Sequence, residues 1–242
     1  MTKPAASPID KSFCQACTVR KRAICADLDE QEIAALNSIG RQRKLSAGEQ
    51  LLWEGEDAVL VANVIDGVLK LWTGTADGRQ QIVGLVYASD FIGRPFGATT
   101  PYGVEALSEA NVCVFSRKEF DTFAREHPRL EHKLLERTLA ELDRTRKWML
   151  LLGRKNAEEK LATFLIDMSE RLVEPGSNPL SGEPLTQFEL PFSRQQIADV
   201  LGLTIETVSR NFARFKREGV IDLPSRREVH ILDRAALEAM AG

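Results

Sequence analysis

The spacing of apolar positions changes along the chain, and each change predicts a different kind of element. From about Leu45 to Phe115, short apolar runs such as VLVANVI and VLKLW alternate with turns that contain glycine. Many short strands at this spacing predict a β-roll or jelly roll. Within it, Leu69 and Leu71 alternate with Lys70 and Trp72, which is the pattern of a half-buried strand with two different faces.

Helical spacing replaces this pattern after about Lys118, and no proline or glycine lies between Pro128 and Gly153. Apolar residues then repeat in steps of four and three, with Arg146 in the same series: Leu135, Leu139, Leu142 and Met149. This is the spacing of a coiled-coil seam, although a helix packed on its own domain would share it. A charged residue on a dimer seam weakens association, so Arg146 predicts that dimerisation is conditional.

A helix-turn-helix pattern occupies the segment from Arg194 to Ile221. Gly202 can adopt the left-handed conformation that ends a first helix, and Thr204 suits the N-cap of a second. The small Ala198, the turn Gly202 and a buried Val208 have the spacing of this motif, which a plain helical hairpin could also have.

Polar side chains on the second helix and in the following hairpin are candidates for DNA contact. An arginine can donate two bonds to guanine and a glutamate can accept from cytosine. An intrahelical salt bridge between Glu206 and Arg210 is the alternative; it is worth only about 0.2–0.5 kcal/mol and is compatible with base contact. Pro224 to Ile231 predicts a wing whose arginines contact phosphates. The predicted DNA-binding residues are Arg194, Thr204, Glu206, Ser209, Arg210, Arg226 and Arg227.

Composition narrows these interpretations. The formal net charge is −3, with 28% charged and 43% hydrophobic residues, so the chain is not a uniformly basic nucleic-acid binder. Its apolar runs are far shorter than the roughly 18–20 residues that span a bilayer, and we expect no membrane partner. The first 25 residues also lack the apolar core of a signal peptide. We therefore expect a cytoplasmic protein, in which thiols stay reduced.

Three of the four cysteines lie close together at the N-terminus: Cys14, Cys17 and Cys25. In a reducing compartment such a group is more typical of metal binding or redox chemistry than of a disulfide. Cys113 alone would be an ordinary buried cysteine, yet it is the only remaining thiol that could complete a four-ligand zinc or iron–sulfur site. The spacing does not distinguish the two metals. Nearby cations are expected to favour the thiolates: Lys11, Arg20, Lys21 and Arg22.

The two ends of the chain together resemble the CRP/FNR family of bacterial transcription regulators, in particular its oxygen-sensing FNR branch. The segments MLLLGRKNAEEKLATFL (149–165) and LGLTIETVSR (201–210) carry the resemblance, together with the cysteine arm. It implies an activator that binds double-stranded DNA as a homodimer at an inverted repeat of the TTGAT/ATCAA type, read by Glu206, Ser209 and Arg210, with RNA polymerase as a partner. It also implies that an oxygen-labile [4Fe-4S] cluster, with zinc as the alternative, is bound by Cys14, Cys17, Cys25 and Cys113.

The chain departs from the cyclic-AMP-binding relatives at the positions that would hold the nucleotide. Gly93-Arg94-Pro95 stands where they have Gly-Glu-Leu, and Tyr102 to Glu105 where an Arg-Ser/Thr pair holds the phosphate. Because Glu105 would repel a phosphate, no cyclic nucleotide is expected. Ile205 and Ser209 likewise replace an Arg and a Gly of that branch. Cys17 and Cys25 are two residues further apart than in the best-known FNR pattern, a spacing that several FNR-like regulators share.

These observations predict an α+β protein of four parts: a cysteine-containing arm (1–27), a β-roll sensory domain (28–118), a long dimerisation helix (119–153) and a winged helix-turn-helix domain (154–242). The hypothesis is that the arm packs near the base of the long helix and biases its seam toward the dimer. One alternative is a regulator of the same family with a zinc or small-effector site. Another is a thiol-redox enzyme using Cys14 and Cys17. The β-roll offers no His/Asp/Ser constellation and the three histidines are scattered along the chain, so we expect no enzyme.

Overall fold

The computed structural model describes residues 7–8, 14, 16–74, 78, 80–172 and 184–242. Lys11 and residues 174–183, which belong to a Pro-, Gly- and Ser-rich stretch, lie outside the described residues. The chain forms two compact units, Met1–Leu142 and Asp143–Gly242, and the division falls within the longest helix. None of the helices in the described residues is long and apolar enough to cross a membrane.

The first unit contains a roll of two antiparallel sheets. Its strands are β1 (Ser7–Pro8), β2 (Gly40–Leu45), β3 (Gln50–Leu52), β4 (Leu60–Asp66), β5 (Leu69–Gly74), β6 (Gln80–Val86), β7 (Phe91–Ile92), β8 (Gly103–Ala106) and β9 (Ala110–Ser116). One sheet has the order β1-β2-β9-β4-β7 and the other β3-β8-β5-β6. Val64 and Val112 of the first sheet share a buried cluster with Leu69 and Val104 of the second, so the predicted β-roll is confirmed.

Trp72 is more buried than the predicted alternation of β5 implies, at only 9% exposed. The strand itself is regular, because Leu69 to Trp72 pair with β8 without a break, and the register shift against β6 skips Val83, so the extra residue belongs to β6. Trp72 therefore keeps the face opposite to Leu69 and Leu71, and neighbouring side chains cover it there. Trp72 packs edge-on against Trp53, with ring centroids 6.3 Å apart. A Cβ at Gly103 would overlap the Trp72 indole, so a glycine is required beside it.

Among the described residues, the first unit also holds the helices α1 (Glu30–Ile39), α2 (Arg117–Glu126) and α3 (Pro128–Arg154), the last of which continues into the second unit. Asp29 caps α1 through a capping box with Glu32. Pro128 suits the first position of α3 because its missing N–H would be unpaired there in any case. The segment 119–153, predicted as one helix, holds most of α2 and of α3, with His127 between them.

The second unit is a small winged helix-turn-helix. Its elements are α4 (Ala157–Arg171), β10 (Gln187–Glu189), α5 (Arg194–Leu201), α6 (Ile205–Arg217), β11 (Ile221–Asp222), β12 (Glu228–Ile231) and α7 (Arg234–Ala241). Strand β12 lies between β10 and β11 in an antiparallel sheet, which forms the wing. Leu161, Phe164, Phe212 and Phe215 are fully buried or nearly so and form part of its core.

Candidate functional site

The turn between α5 and α6 has the geometry that the sequence predicts. Gly202 ends α5 with φ +61° and ψ +43°, the left-handed conformation. Thr204 caps α6 by accepting a hydrogen bond from the backbone N–H of Thr207. Ala198 and Val208 are fully buried where the helices meet. Capping and the left-handed glycine fix the angle between the helices, and so fix which face of α6 is presented outward.

The outward face of α6 carries the three predicted base-reading residues. Glu206, Ser209 and Arg210 are all exposed, whereas Val208 and Phe212 point into the core. Arg210 Nη2 donates to Thr207 Oγ1 at 3.3 Å, so the arginine is held by its own helix turn through a neutral partner. Its remaining N–H groups leave it the donors that a bidentate contact with guanine requires.

Two further basic residues of α6 are occupied by carboxylates. Arg214 donates to Glu158 Oε2 at 2.6 Å and to Glu218 Oε1 at 2.7 Å, and this surrounding charge, chiefly Glu218, raises the pKa of the guanidinium. Lys216 Nζ lies 2.9 Å from Asp222 Oδ1. These two cations therefore hold the unit together, which makes them weaker candidates for phosphate contact.

Arg226 and Arg227 lie in the turn between β11 and β12, and both are exposed. The hydroxyl of Ser225 accepts hydrogen bonds from the backbone N–H of Arg227 at 3.2 Å and of Glu228 at 3.0 Å, which orders the turn. The wing therefore presents two cations on a defined backbone, as contact with DNA phosphates requires.

Arg194 differs from the other predicted DNA-binding residues. Its guanidinium lies over the Phe212 ring at 3.3 Å from the centroid, and burial lowers its pKa to about 10. Nη1 is buried without a hydrogen-bond partner among the described residues. The structure thus gives Arg194 a packing role between α5 and α6, and its contact with DNA stays a prediction.

The predicted seam residues of α3 are solvent-exposed in the single chain. Leu135 is 55% exposed, Leu139 53%, Leu142 43% and Met149 68%. Arg146 is also exposed, and its Nη1 lies 3.4 Å from Asp143 Oδ1 on the same helix. Leucines at regular spacing on a helix face are rarely left uncovered in a soluble protein, so the pattern favours a partner over intrachain packing.

The four cysteines line one cavity in the first unit, with about 450 Å³ of empty space that is partly open to solvent. Cys14, Cys17 and Cys25 come from the arm, and Cys113 from β9. All four are free thiols. No group of three or more His, Cys, Asp or Glu side chains among the described residues is already gathered at metal-binding distances. The cavity therefore holds the right donors, but the thiols would have to draw together around a metal.

The expectation that nearby cations favour the thiolates is wrong for most of these cysteines. Burial raises the pKa of Cys14, raises that of Cys25 to about 12 and raises that of Cys113 further. The negative charges of the other thiolates raise each of these values too, which the proximity of Arg20 only partly offsets for Cys14 and Cys25. Without a metal these thiols keep their protons, and binding one would release them.

Two buried asparagines also line this cavity, and the sequence analysis does not single them out. Asn37 of α1 is 8% exposed and Asn63 of β4 is 5% exposed. Asn63 could have been noticed as the polar residue within the apolar run Ala58 to Ile65. No comparable signal marks Asn37, because its contact with Cys14 depends on how the arm folds.

The cysteine cavity shares its packing with the start of α3. Ile24 of the arm and Leu28, which follows it, form one buried cluster with Phe120 of α2 and Leu130 of α3, and Cys14, Cys25 and Cys113 pack against it. An ion pair adds a polar link, since Lys133 Nζ of α3 lies 3.2 Å from Asp27 Oδ2. The arm therefore touches the base of the helix that carries the seam.

The position that would meet a nucleotide phosphate is already paired. Glu105 Oε1 lies 3.0 Å from Lys70 Nζ, so the carboxylate has a cation of its own within the roll. The Lys70 ammonium offsets the charge by which Glu105 is expected to repel a phosphate, so the absence of a cyclic nucleotide stays a prediction.

Comparison with known proteins identifies both units. Residues 42–127 match the family described as a cyclic nucleotide-binding domain, and residues 159–240 match the Crp-like helix-turn-helix domain. Transcriptional activator protein FnrL of Cereibacter sphaeroides is 43% identical over 229 residues, which cover 95% of this chain and 92% of that protein. Nitrogen fixation regulation protein FixK of Bradyrhizobium diazoefficiens is 38% identical over 241 residues, 99% of each chain. The structure of FixK2 from Bradyrhizobium japonicum matches with a TM-score of 0.75 and 29% identity, over 84% of this chain and 98% of that one.

Proposed function

The chain belongs to the CRP/FNR family of transcription regulators, which makes it a DNA-binding regulator, and we propose that it is an activator that senses oxygen through a [4Fe-4S] cluster on Cys14, Cys17, Cys25 and Cys113. The observation that carries the proposal is that one cavity collects all four cysteines of the chain, three from the arm and one from the roll. Four cysteine sulfurs are the complete ligand set of such a cluster.

The donor set and its surroundings fit the group. Among the described residues, the cavity is lined otherwise by apolar side chains and two amides, and no carboxylate there would compete for iron or repel a negatively charged cluster. When bound, the cluster would supply reactivity toward oxygen. The four cysteines would link two parts of the chain: because Cys113 belongs to the sheet and the other three to the arm, ligation would fasten the arm to the roll.

The fastened arm supports the start of α3. Ile24, Leu28 and Leu130 share one buried cluster, and Asp27 pairs with Lys133. We propose that holding the arm in place holds the base of α3 in the orientation that a dimer needs, and that releasing the arm weakens the seam. A symmetric dimer presents two copies of α6 to two half-sites one helical turn apart.

In DNA recognition we propose that Glu206, Ser209 and Arg210 read base edges of an inverted repeat of the TTGAT/ATCAA type. Their exposure on α6 supports this role, and Arg226 and Arg227 on the wing are placed for phosphates. RNA polymerase is the further partner that an activator needs. We propose that no cyclic nucleotide is involved, because Tyr102 to Glu105 stand where an Arg-Ser/Thr pair holds the phosphate in the cyclic-AMP-binding relatives.

The test is the metal content of protein purified without air, measured with the absorption spectrum and acid-labile sulfide. The proposal predicts about four iron and four sulfide per chain and a visible absorption band that fades in air. A Cys113→Ser variant should lose both, although it keeps the three arm cysteines. Stoichiometric zinc without sulfide would overturn the cluster and favour the structural-zinc alternative.

A further inference from the structure

The cysteine cavity contains two amide side chains whose chemistry is suited to sulfur ligands. A cysteine bound to a metal has lost its proton, so its sulfur can only accept hydrogen bonds. An asparagine amide offers two N–H donors at Nδ2. Asn37 and Asn63 are the amides of the cavity lining, and both are more than nine-tenths buried.

Asn37 is already bonded to one of the cysteines. Cys14 Sγ donates to Asn37 Oδ1 at 2.7 Å, the arrangement expected when the thiol keeps its proton. A half-turn of the amide about its Cβ–Cγ bond exchanges Oδ1 for Nδ2 at the same position. The same residue can therefore accept from the thiol and donate to the bound sulfur without moving its backbone.

Asn63 faces Cys113 across the sheet. The two residues are direct partners in the antiparallel pairing of β4 with β9, so their side chains lie on the same face with Cβ atoms about 4.5–5.5 Å apart. Asn63 Nδ2 makes a long bond of 3.3 Å to Val64 O, which uses one of its two N–H groups. Oδ1 is buried without a hydrogen-bond partner among the described residues. A metal-bound sulfur, which only accepts, would not pair with Oδ1; it would accept from the second N–H group of Nδ2.

We infer that Asn37 and Asn63 donate N–H···S hydrogen bonds to Cys14 and Cys113 when the cavity holds its cluster, and that these bonds set how long the cluster survives in oxygen. The inference rests on the proposed function. Hydrogen bonds to the sulfurs stabilise the more negatively charged, reduced cluster and so raise its reduction potential. Removing them should lower the potential and speed the loss of the cluster in air. The two asparagines thus determine how quickly a given oxygen concentration destroys the cluster.

The experiment uses full-length protein loaded with iron and sulfide without air, then mixed with air-saturated buffer while the cluster absorbance is followed. Asn37→Leu and Asn63→Leu remove a donor at nearly constant volume, and Asn63→Asp puts an acceptor in its place. Asn111→Leu is the matched control, because Asn111 lies on β9 with an Oδ1 that is buried without a partner in the described part of the chain, and it is not among the described residues that line the cavity. The reduction potential of each loaded variant and the thermal unfolding of each cluster-free variant are measured in parallel.

We expect the half-life of the cluster to fall about tenfold in both leucine variants and at least as far in Asn63→Asp. The reduction potential should fall in all three. The magnitude follows from metal sites in general, where losing a hydrogen-bond partner of a ligand lowers metal affinity or activity by about 10–100-fold. Asn111→Leu should match the wild type in both readouts. Half-lives and potentials equal to the wild type in variants that load fully would overturn the inference. The inference would also be overturned if Asn111→Leu shortened the half-life equally, or if the half-life fell only in variants that unfold at a lower temperature. Asn37 and Asn63 would then contribute to the stability of the fold and not to that of the cluster. A wild-type protein that loads no iron and sulfide would refute the proposed function instead.

Discussion

Replacing Leu139 with alanine removes apolar surface from the middle of the seam on α3. The leucine is 53% exposed in the single chain, so half of its side chain remains to be covered by a partner. Covering a whole leucine is worth about 1.5–3 kcal/mol, and the uncovered half therefore contributes about 1 kcal/mol. The seam of a twofold dimer contains the residue twice, which makes the loss about 2 kcal/mol, or a dimer dissociation constant raised about 30-fold.

Sedimentation equilibrium of cluster-loaded protein without air measures this constant directly. Leu232→Ala is the matched control, because Leu232 is 62% exposed but lies outside α3. In cluster-free, monomeric protein both variants should unfold near the wild-type temperature, since both leucines are more than half exposed in the single chain. A dissociation constant within about twofold of the wild type for Leu139→Ala would refute the assignment of this helix face to the dimer.

Three further substitutions address the helix charge, the recognition face and the turn. Arg146→Leu should lower the dimer dissociation constant and preserve part of the dimer in air, which sedimentation equilibrium measures. The reason is that the substitution removes a cation from the seam, whereas the exposed ion pair with Asp143 that is lost contributes little to stability. Arg210→Ala should cost about 1–3 kcal/mol of specific binding and relax the preference at one base pair, measured with a set of single-base variants of the site. Gly202→Ala should lower the free energy of unfolding by about 1 kcal/mol in a denaturant titration, because an alanine is strained at φ +61°.

Each of these expectations has an outcome that contradicts it. A weaker dimer in Arg146→Leu would show that the arginine pairs across the seam instead of opposing it. An unchanged base preference in Arg210→Ala would remove this residue from base reading. Apart from its own neighbours in the chain, no atom of the described residues lies within 4 Å of a Cβ built on Gly202, so a loss far above about 2 kcal/mol could not be explained by backbone strain alone.

The parts that sequence reasoning predicts correctly are those set by neighbours in the chain. Gly202 and Thr204 act within one turn, and the burial of Val208 follows from helical spacing alone. The burial of Trp72 does not follow in this way, because Trp53 and Gly103, which lie against its indole, are distant from it in sequence. Alternation therefore predicts on which face of a strand a side chain lies, but not whether that face is covered.

At the cysteine cavity, too, sequence reasoning finds some residues and misses others. The number of cysteines predicts Cys113 as the fourth ligand, but only the pairing of β4 with β9 places Asn63 opposite it. The thiol pKa values also depend on burial, which outweighs the nearby Arg20 that the sequence displays. Charges near in sequence are thus a poor guide to ionisation once the groups are desolvated.

The central claim is that one four-cysteine cavity controls DNA binding in response to oxygen. The most direct test is the affinity of cluster-loaded protein for a duplex with an inverted TTGAT/ATCAA repeat, measured by fluorescence anisotropy before and after the same sample is exposed to air. The account predicts that affinity falls by about 100-fold as the dimer is lost, since two linked half-sites bind 10²–10⁴-fold better than one. Equal affinity before and after air, in a sample that has lost its cluster absorbance, would contradict it.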